Sequence, residues 1–279
     1  MASPQDLVKL VRSESDRLKQ YLSTLSPGQW SHPSACDRWE VRDVVAHLAL
    51  GAETFAGFIT RGVQGDSAPP PGLPGAGASD WASRMEFNAR RTISFRESLG
   101  EQLLPTFGER YDQFCQLLAG LGPEDWDKPC YHAAGIMPVR SLVSLRIAEL
   151  SIHEWDIRSG LEPSAHLSAK SLPVVTDVVL ERIGFLVRPD SRPSTPVRYR
   201  FELVGTVPGK RDVVVDSRET RLEAAGRTRA KVTFRCDAET FALLMYGRVP
   251  LDDAIATTRV AAEGDSKLVS DFGRWLKGV

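Results

Sequence analysis

The chain has no paired cysteine motif. Cys36, Cys115, Cys130 and Cys236 are scattered through 279 residues without a Cys-x-x-Cys, which indicates neither a zinc ribbon nor a redox pair and reads as free thiols in a reducing compartment. Charge of one sign is also missing: 35 Lys and Arg against 36 Asp and Glu leave a formal net charge of −1. Phosphate binding needs a concentrated basic face, so nucleic acid is not the expected partner. No run approaches the roughly 18–20 apolar residues of a membrane span. The opening MASPQDLVKLVRSESDRLKQ has neither the basic start nor the unbroken apolar core of a secretory signal, so the expectation is a cytoplasmic protein with no membrane partner, the monomer favoured. No charged run marks a disordered tail.

What is present is globular. The length is generous for one domain and comfortable for two, each able to bury its own core. Leu7, Leu10, Val11, Leu18, Tyr21, Leu22 and Leu25 recur at helical spacing, and Ser26, Pro27 and Gly28 end that helix. A second helix runs from about 41 to 59 on Val41, Val44, Val45, Leu48, Ala52, Phe55 and Phe58, with His47 at the flank of the stripe. Residues 62–79 hold three consecutive prolines and five glycines, a composition that makes neither helix nor packed strand and reads as a disordered loop more than a lid. Ser79 or Asp80 can cap a third helix, which restarts or kinks near Leu99 and Gly100 and continues to Leu118. A fourth spans 140–160 and ends at Gly160.

Four long helices make a bundle of residues 1–162. From 163 to 279 the pattern changes. One more helix is expected between Leu167 and Val187, followed by strands at 197–205, 211–217, 230–236 and 258–264 and short helices at 237–248 and 266–278. Such a mixture makes an α+β domain with a mainly antiparallel sheet.

The fourth helix carries the chemistry. Arg146, Glu149, His153 and Asp156 share an arc of roughly 80° on a helix whose other faces are apolar. An ionisable stripe on a buried helix is costly unless it is paired or holds a metal. His47 on one helix and the Glu149-x-x-x-His153 pair on another supply two imidazoles and a carboxylate, which suit zinc, nickel or iron(II) and leave a position open for water or substrate. Spacing alone equally admits a buried, hydrogen-bonded Glu and His with no metal. Cys130 and His132 offer half a metal site, in a stretch that reads as a loop.

Two runs, CDRWEVRDVVAHLALGAETF (36–55) and RIAELSIHEWDIRSGL (146–161), resemble the N-terminal domain of the mycothiol-dependent maleylpyruvate isomerase family, a branch of the DinB-like four-helix metalloenzymes. Residues 237–278 are similar to the sterol-carrier-like α+β domain that accompanies this bundle. The resemblance implies metal ligands at His47, Glu149 and His153, a divalent cation, most often zinc, and mycothiol as the thiol cosubstrate. Glu40 departs from the usual Ser or Thr helix cap, and the loop at 66–77 looks variable within the family.

A mechanism follows from that implication. A free thiol titrates near about 8.5, so little thiolate exists at neutral pH, and a divalent cation deprotonates a coordinated thiol. The thiolate can then attack a small electrophile, giving cis–trans isomerisation or S-transfer. Exchange on a sulfur- or sugar-linked biosynthetic intermediate is an alternative, and a non-catalytic holder of an apolar ligand is another. Asp156 fits either an acceptor for an imidazole N–H or the solvated end of its helix. Arg146 and Arg248 can each hold a substrate carboxylate or serve in a salt bridge; Arg248 has the better case, because the Gly-Arg ending its helix matches the family pattern. His32, His132 and His166 receive no role.

Overall fold

The computed structural model of the chain describes residues 2–36, 39–77 and 81–278. Two compact units divide it, Met1–Ser171 and Leu172–Val279.

The first unit is helical. Its elements are α1 (Pro4–Leu22), the single turn α2 (Pro27–Trp30), α3 (Val41–Val63), α4 (Trp81–Leu99), α5 (Leu103–Ala119), a two-residue hairpin of β1 (Pro129–Cys130) and β2 (Met137–Pro138), and α6 (Val139–Ser159). Helices α1, α5, α3 and α6 each touch two of the others in that cyclic order, and α4 lies on α3 and α5. The periodic apolar residues are the core: Leu7, Val11 and Leu18 on α1, Val44 and Leu48 on α3, Phe107 and Phe114 on α5, and Leu142, Val143 and Ile147 on α6 are all buried. Helix α1 is capped by Ser3, whose hydroxyl accepts the Asp6 N–H. At α3 the missing Ser or Thr cap is answered by Asp43, whose carboxylate accepts the Glu40 N–H at 3.0 Å.

One local expectation is decided and another changes. Of the restart or kink expected near Leu99 and Gly100, the chain takes the restart: Gly100 has φ 53°, a left-handed value open to glycine, and a 3-10 turn separates α4 from α5. The expected caps of the third helix, Ser79 and Asp80, lie outside the described residues. The Pro/Gly-rich loop, expected to be disordered, is tied down as far as 77 by the β1–β2 connection, because Tyr131 donates its hydroxyl proton to the Pro74 carbonyl (2.8 Å) and the Gly77 N–H donates to Ala133 (2.9 Å). Composition forbade regular structure there; it did not forbid bonds to a neighbouring loop.

The second unit is mixed. Helix α7 (Leu172–Glu181) breaks at Arg182 into the short α8 (Ile183–Leu186). Strands β3 (Val197–Val204), β4 (Gly209–Val215), β5 (Thr220–Ala224), β6 (Val232–Asp237) and β7 (Ala261–Gly264) form one sheet in the order β5-β4-β3-β6-β7, with α9 (Ala238–Met245), α10 (Leu251–Ala256) and α11 (Ser266–Trp275) completing the unit. Three of its strand pairs are antiparallel and β3–β6 is parallel. Burial alternates along β3, putting Tyr199 and Phe201 into an aromatic cluster with Phe234, Phe241, Phe272 and Trp275. On the opposite face Arg198 and Arg200 clamp the buried Asp212 at 3.0 and 2.8 Å. No helix among the described residues is long and apolar enough to cross a membrane.

Candidate functional site

Packing of α3 against α6 brings together residues that are about a hundred positions apart in sequence. The Nε2 atom of His47 lies 3.8 Å from Glu149 Oε2, and the rings of His47 and His153 meet edge to face with centroids 4.9 Å apart. All three side chains are half-buried. Trp39 leans on the other side of His47, ring to ring at 5.2 Å.

The remaining stripe residues hold these three in place. His153 donates its Nδ1–H to Asp156 Oδ2 at 2.8 Å, and Asp156 is wholly buried. Asp156 is therefore an imidazole acceptor and not the solvated end of its helix. Arg146 is also wholly buried. Its Nη1 donates to Glu149 Oε2 (2.6 Å) and its Nε to the Tyr111 hydroxyl (3.0 Å), with the guanidinium over the rings of Phe55 and Tyr111. Gly51, one turn past His47 on α3, makes room for it: a Cβ there would collide with Nη1 and stand 2.9 Å from Cζ. Two of the three guanidinium nitrogens are thus committed inside the protein.

A cavity of about 340 Å3 opens over this group, within the range of small-molecule sites. His47, Glu149 and Arg146 line it on one side; Phe55, Phe58, Leu73, Pro74, Phe87 and Tyr131 make apolar walls. His132 lines it too, with Nδ1 accepting the Ala134 N–H at 3.2 Å and the ring edge-on to Phe55. The sequence offered His132 only as half of a metal site with Cys130, because the hairpin turn that carries it has no periodic signal. Cys130 does not join it: the thiol is buried, which pushes its pKa up to about 11. Arg248 belongs to the second unit, where its Nη1 donates to the Tyr246 carbonyl at 3.0 Å. His32 and His166 are exposed.

Cys36 is the residue that sequence reasoning passed over. Among the described residues, the side chains whose donor atoms all lie within 4.8 Å of one another are Cys36, His153 and Asp156. The signal lay in the tertiary contact of its loop with the end of α6, which no local pattern announces.

The two imidazoles titrate apart in the metal-free protein. Burial alone would lower His153, but its hydrogen bonds to Asp156 and Cys36 outweigh that and raise it to about 9. Burial, followed by the neighbouring His153, drives His47 down to about 3. Glu149 would be raised by burial, yet Arg146 and the histidines hold it below the usual carboxylate value. A raised histidine contributes stability that is complete below about pH 6.5 and lost as the pH climbs toward about 9; the lowered His47 removes stability as the pH falls below about 6.5. The metal-free protein should therefore be most stable near about pH 6.5. Its alkaline limb should amount to about 3 kcal/mol and vanish in His153→Gln, as thermal unfolding with chelator across about pH 5–9 will show.

The side chains gathered here are of the types that a divalent cation takes. His47 offers Nε2 beside the Glu149 carboxylate, and Asp156 orients His153 in the manner of a carboxylate behind a metal-bound imidazole. Two imidazoles and one carboxylate match the borderline preference of zinc and its neighbours.

Fold and site together define a small-molecule protein whose helical unit presents histidines and a carboxylate to an apolar-walled cavity, joined to an α+β unit. Residues 11–158 match the family model described as the mycothiol maleylpyruvate isomerase N-terminal domain, and residues 176–270 match that of the MDMPI C-terminal domain. The chain belongs to the mycothiol maleylpyruvate isomerase family. Two crystal structures of mycothiol-dependent maleylpyruvate isomerase, one of them a mutant, share its fold. Their TM-scores are 0.65 and 0.64 at 13% and 12% identity, and both alignments cover 94% of this chain and 93% of the other. A search of curated proteins gives no match.

Proposed function

We propose that the protein is a divalent-metal-dependent enzyme that uses a low-molecular-weight thiol, mycothiol, as the nucleophile against a small electrophile. The convergence of His47, Glu149 and His153, the first two of which line one cavity, carries this reading. Those three side chains would hold the cation, zinc by preference, in a DinB-like four-helix bundle, with the second unit as a sterol-carrier-like partner. When bound, the cation supplies thiolate at neutral pH by lowering the thiol pKa.

The chain's own residues do the rest. Asp156 fixes the orientation of His153, and Arg146 fixes that of Glu149 and keeps it ionised. Phe55, Phe58 and Tyr131 keep water from the reacting carbon. Arg248 is assigned to a substrate carboxylate, on the Gly-Arg pattern that ends its helix. A thiolate that adds to a conjugated double bond converts it to a single bond; rotation and loss of the same thiolate give the trans isomer, and loss of another group gives S-transfer. The four cysteines are all free, which supports a reducing compartment and so the cytoplasm.

Incubating the zinc-loaded protein with mycothiol and a cis-configured unsaturated oxo acid, followed by proton NMR, tests the proposal. Conversion to the trans isomer or to a thioether adduct should require both thiol and metal. Turnover that proceeds unchanged without either one would contradict it.

A further inference from the structure

Helices α3 and α4 supply two sides of the cavity. On α3, His47, Gly51, Thr54, Phe55 and Phe58 recur at helical spacing and line it; on α4, Phe87, Asn88, Arg91 and Thr92 do the same. Thr54 lies two turns past His47, about 10 Å along the axis of α3. Arg91 is fixed at that level, because its Nη2 donates to the Thr54 hydroxyl at 3.2 Å.

Arg91 differs from the cations around it. Arg90 pairs with Glu86 at 3.0 Å, Arg96 with Asp43 at 2.8 Å and Arg110 with Glu53 at 3.0 Å. Among the described residues Arg91 meets no carboxylate, and the Thr54 hydroxyl is the one acceptor its guanidinium takes. Glu149, the one carboxylate among the described residues that line the cavity, is already bonded to Arg146. Most of the exposed Arg91 fork is thus left for a ligand, and a planar, two-pronged fork matches a carboxylate. The walls beside it are apolar. Between His47 and Thr54 the lining residues of α3 are Leu50 and Gly51, and Phe87, one turn before Arg91, is 49% exposed.

We propose that Arg91 is a specificity-determining residue for the electrophile, holding a carboxylate two helical turns from His47, with an apolar stretch of the substrate between that carboxylate and the reacting carbon. The inference rests on the reading that this cavity is where the electrophile meets the thiol, and it is independent of the assignment of Arg248. It narrows the small electrophile to an unsaturated acid with an apolar spacer of several carbon atoms. Anchoring the acid at Arg91 also directs the double bond toward the His47 end of the cavity, an orientation that a neutral ester or amide would not secure.

Calorimetric titration of the chelator-treated, full-length protein with phenylbutyrate and with its amide tests this, since the acid then has no metal to bind and no thiol chemistry intervenes. Near neutral pH the acid should bind saturably, about tenfold or more tighter than the amide, the margin of one charge-assisted hydrogen bond. Arg91→Gln should bring the acid down to the level of the amide and leave the amide unchanged, which a merely structural role would not do. Phe87→Ala should weaken both, and Arg90→Gln neither. Equal binding of acid and amide by the wild-type protein, loss of both in Arg91→Gln, or no binding of either overturns the inference and leaves the metal and thiol reading standing. A Phe87→Ala protein that binds both as tightly as the wild type overturns the apolar spacer. Acid-selective binding by a protein that shows no thiol-dependent turnover when loaded with zinc overturns that reading and leaves the Arg91 assignment.

Discussion

Replacing Arg146 with methionine should lower the stability of the metal-free helical unit by about 3 kcal/mol, the low end for breaking a buried ion pair because Glu149 keeps some solvent. Arg146 is 0% exposed, and its side chain meets Glu149, Tyr111 and Phe55. Methionine fills much of the same volume, so the loss is chiefly electrostatic: Glu149 remains ionised beside His47 without its countercharge. For a unit of this size that corresponds to a drop in Tm of roughly 10 °C. Cation affinity should fall about 10–100-fold, as it does when a partner that orients a ligand is removed. Arg146→Lys should recover part of the stability, since the charge returns without the two-pronged geometry. Gly51→Ala should reproduce part of the defect from the other helix, because its Cβ would push the guanidinium off Glu149. Thermal unfolding and chelator competition measure these effects; an Arg146→Met protein as stable as the wild type would remove the pair from the account.

His47→Ala should behave in the opposite way, with little change in metal-free stability and a large change in binding. The side chain is half-buried and neutral at pH 7, its pKa pushed down to about 3, so truncation should cost about 1 kcal/mol or less. Cation affinity should fall by more than about 100-fold, beyond the effect of any orienting partner, and thiol-dependent turnover should fall with it. The acid limb of the stability profile should also flatten, since the group that resists protonation is gone. Metal analysis after dialysis, with thermal unfolding in acid, separates this outcome from simple misfolding.

The contrast between these two residues marks how far the sequence could be read. Helix α6 was legible because its apolar residues cover most of its circumference and its polar residues share one stripe, and helical periodicity is a local property. The family resemblance seen at 36–55 and 146–161 holds across both family domains, residues 11–158 and 176–270. Periodicity could not distinguish Arg146 from Glu149 on that stripe, because the difference lies in Tyr111 and Gly51 on other helices. Likewise Asp156 declares itself only through burial against His153. The place of Cys36 beside His153 and of His132 at the cavity could not be read, since both ride on loops positioned by long-range bonds: Ala35 to Asp156 for one, and the hairpin that also grips Pro74 for the other. In the second unit β5 was missed because TRLEA is a five-residue edge strand with one large apolar side chain, too short for its alternation to stand out, and the parallel pairing of β3 with β6 is a matter of topology that no single strand encodes.

Calorimetric titration of mycothiol into zinc-loaded and chelator-treated protein tests the central claim most directly. A metal-activated thiol site predicts saturable binding of one equivalent to the loaded protein, accompanied by proton release, and none to the chelated protein or to His47→Ala. Equal affinity with and without metal, or no binding to the loaded protein, would contradict it.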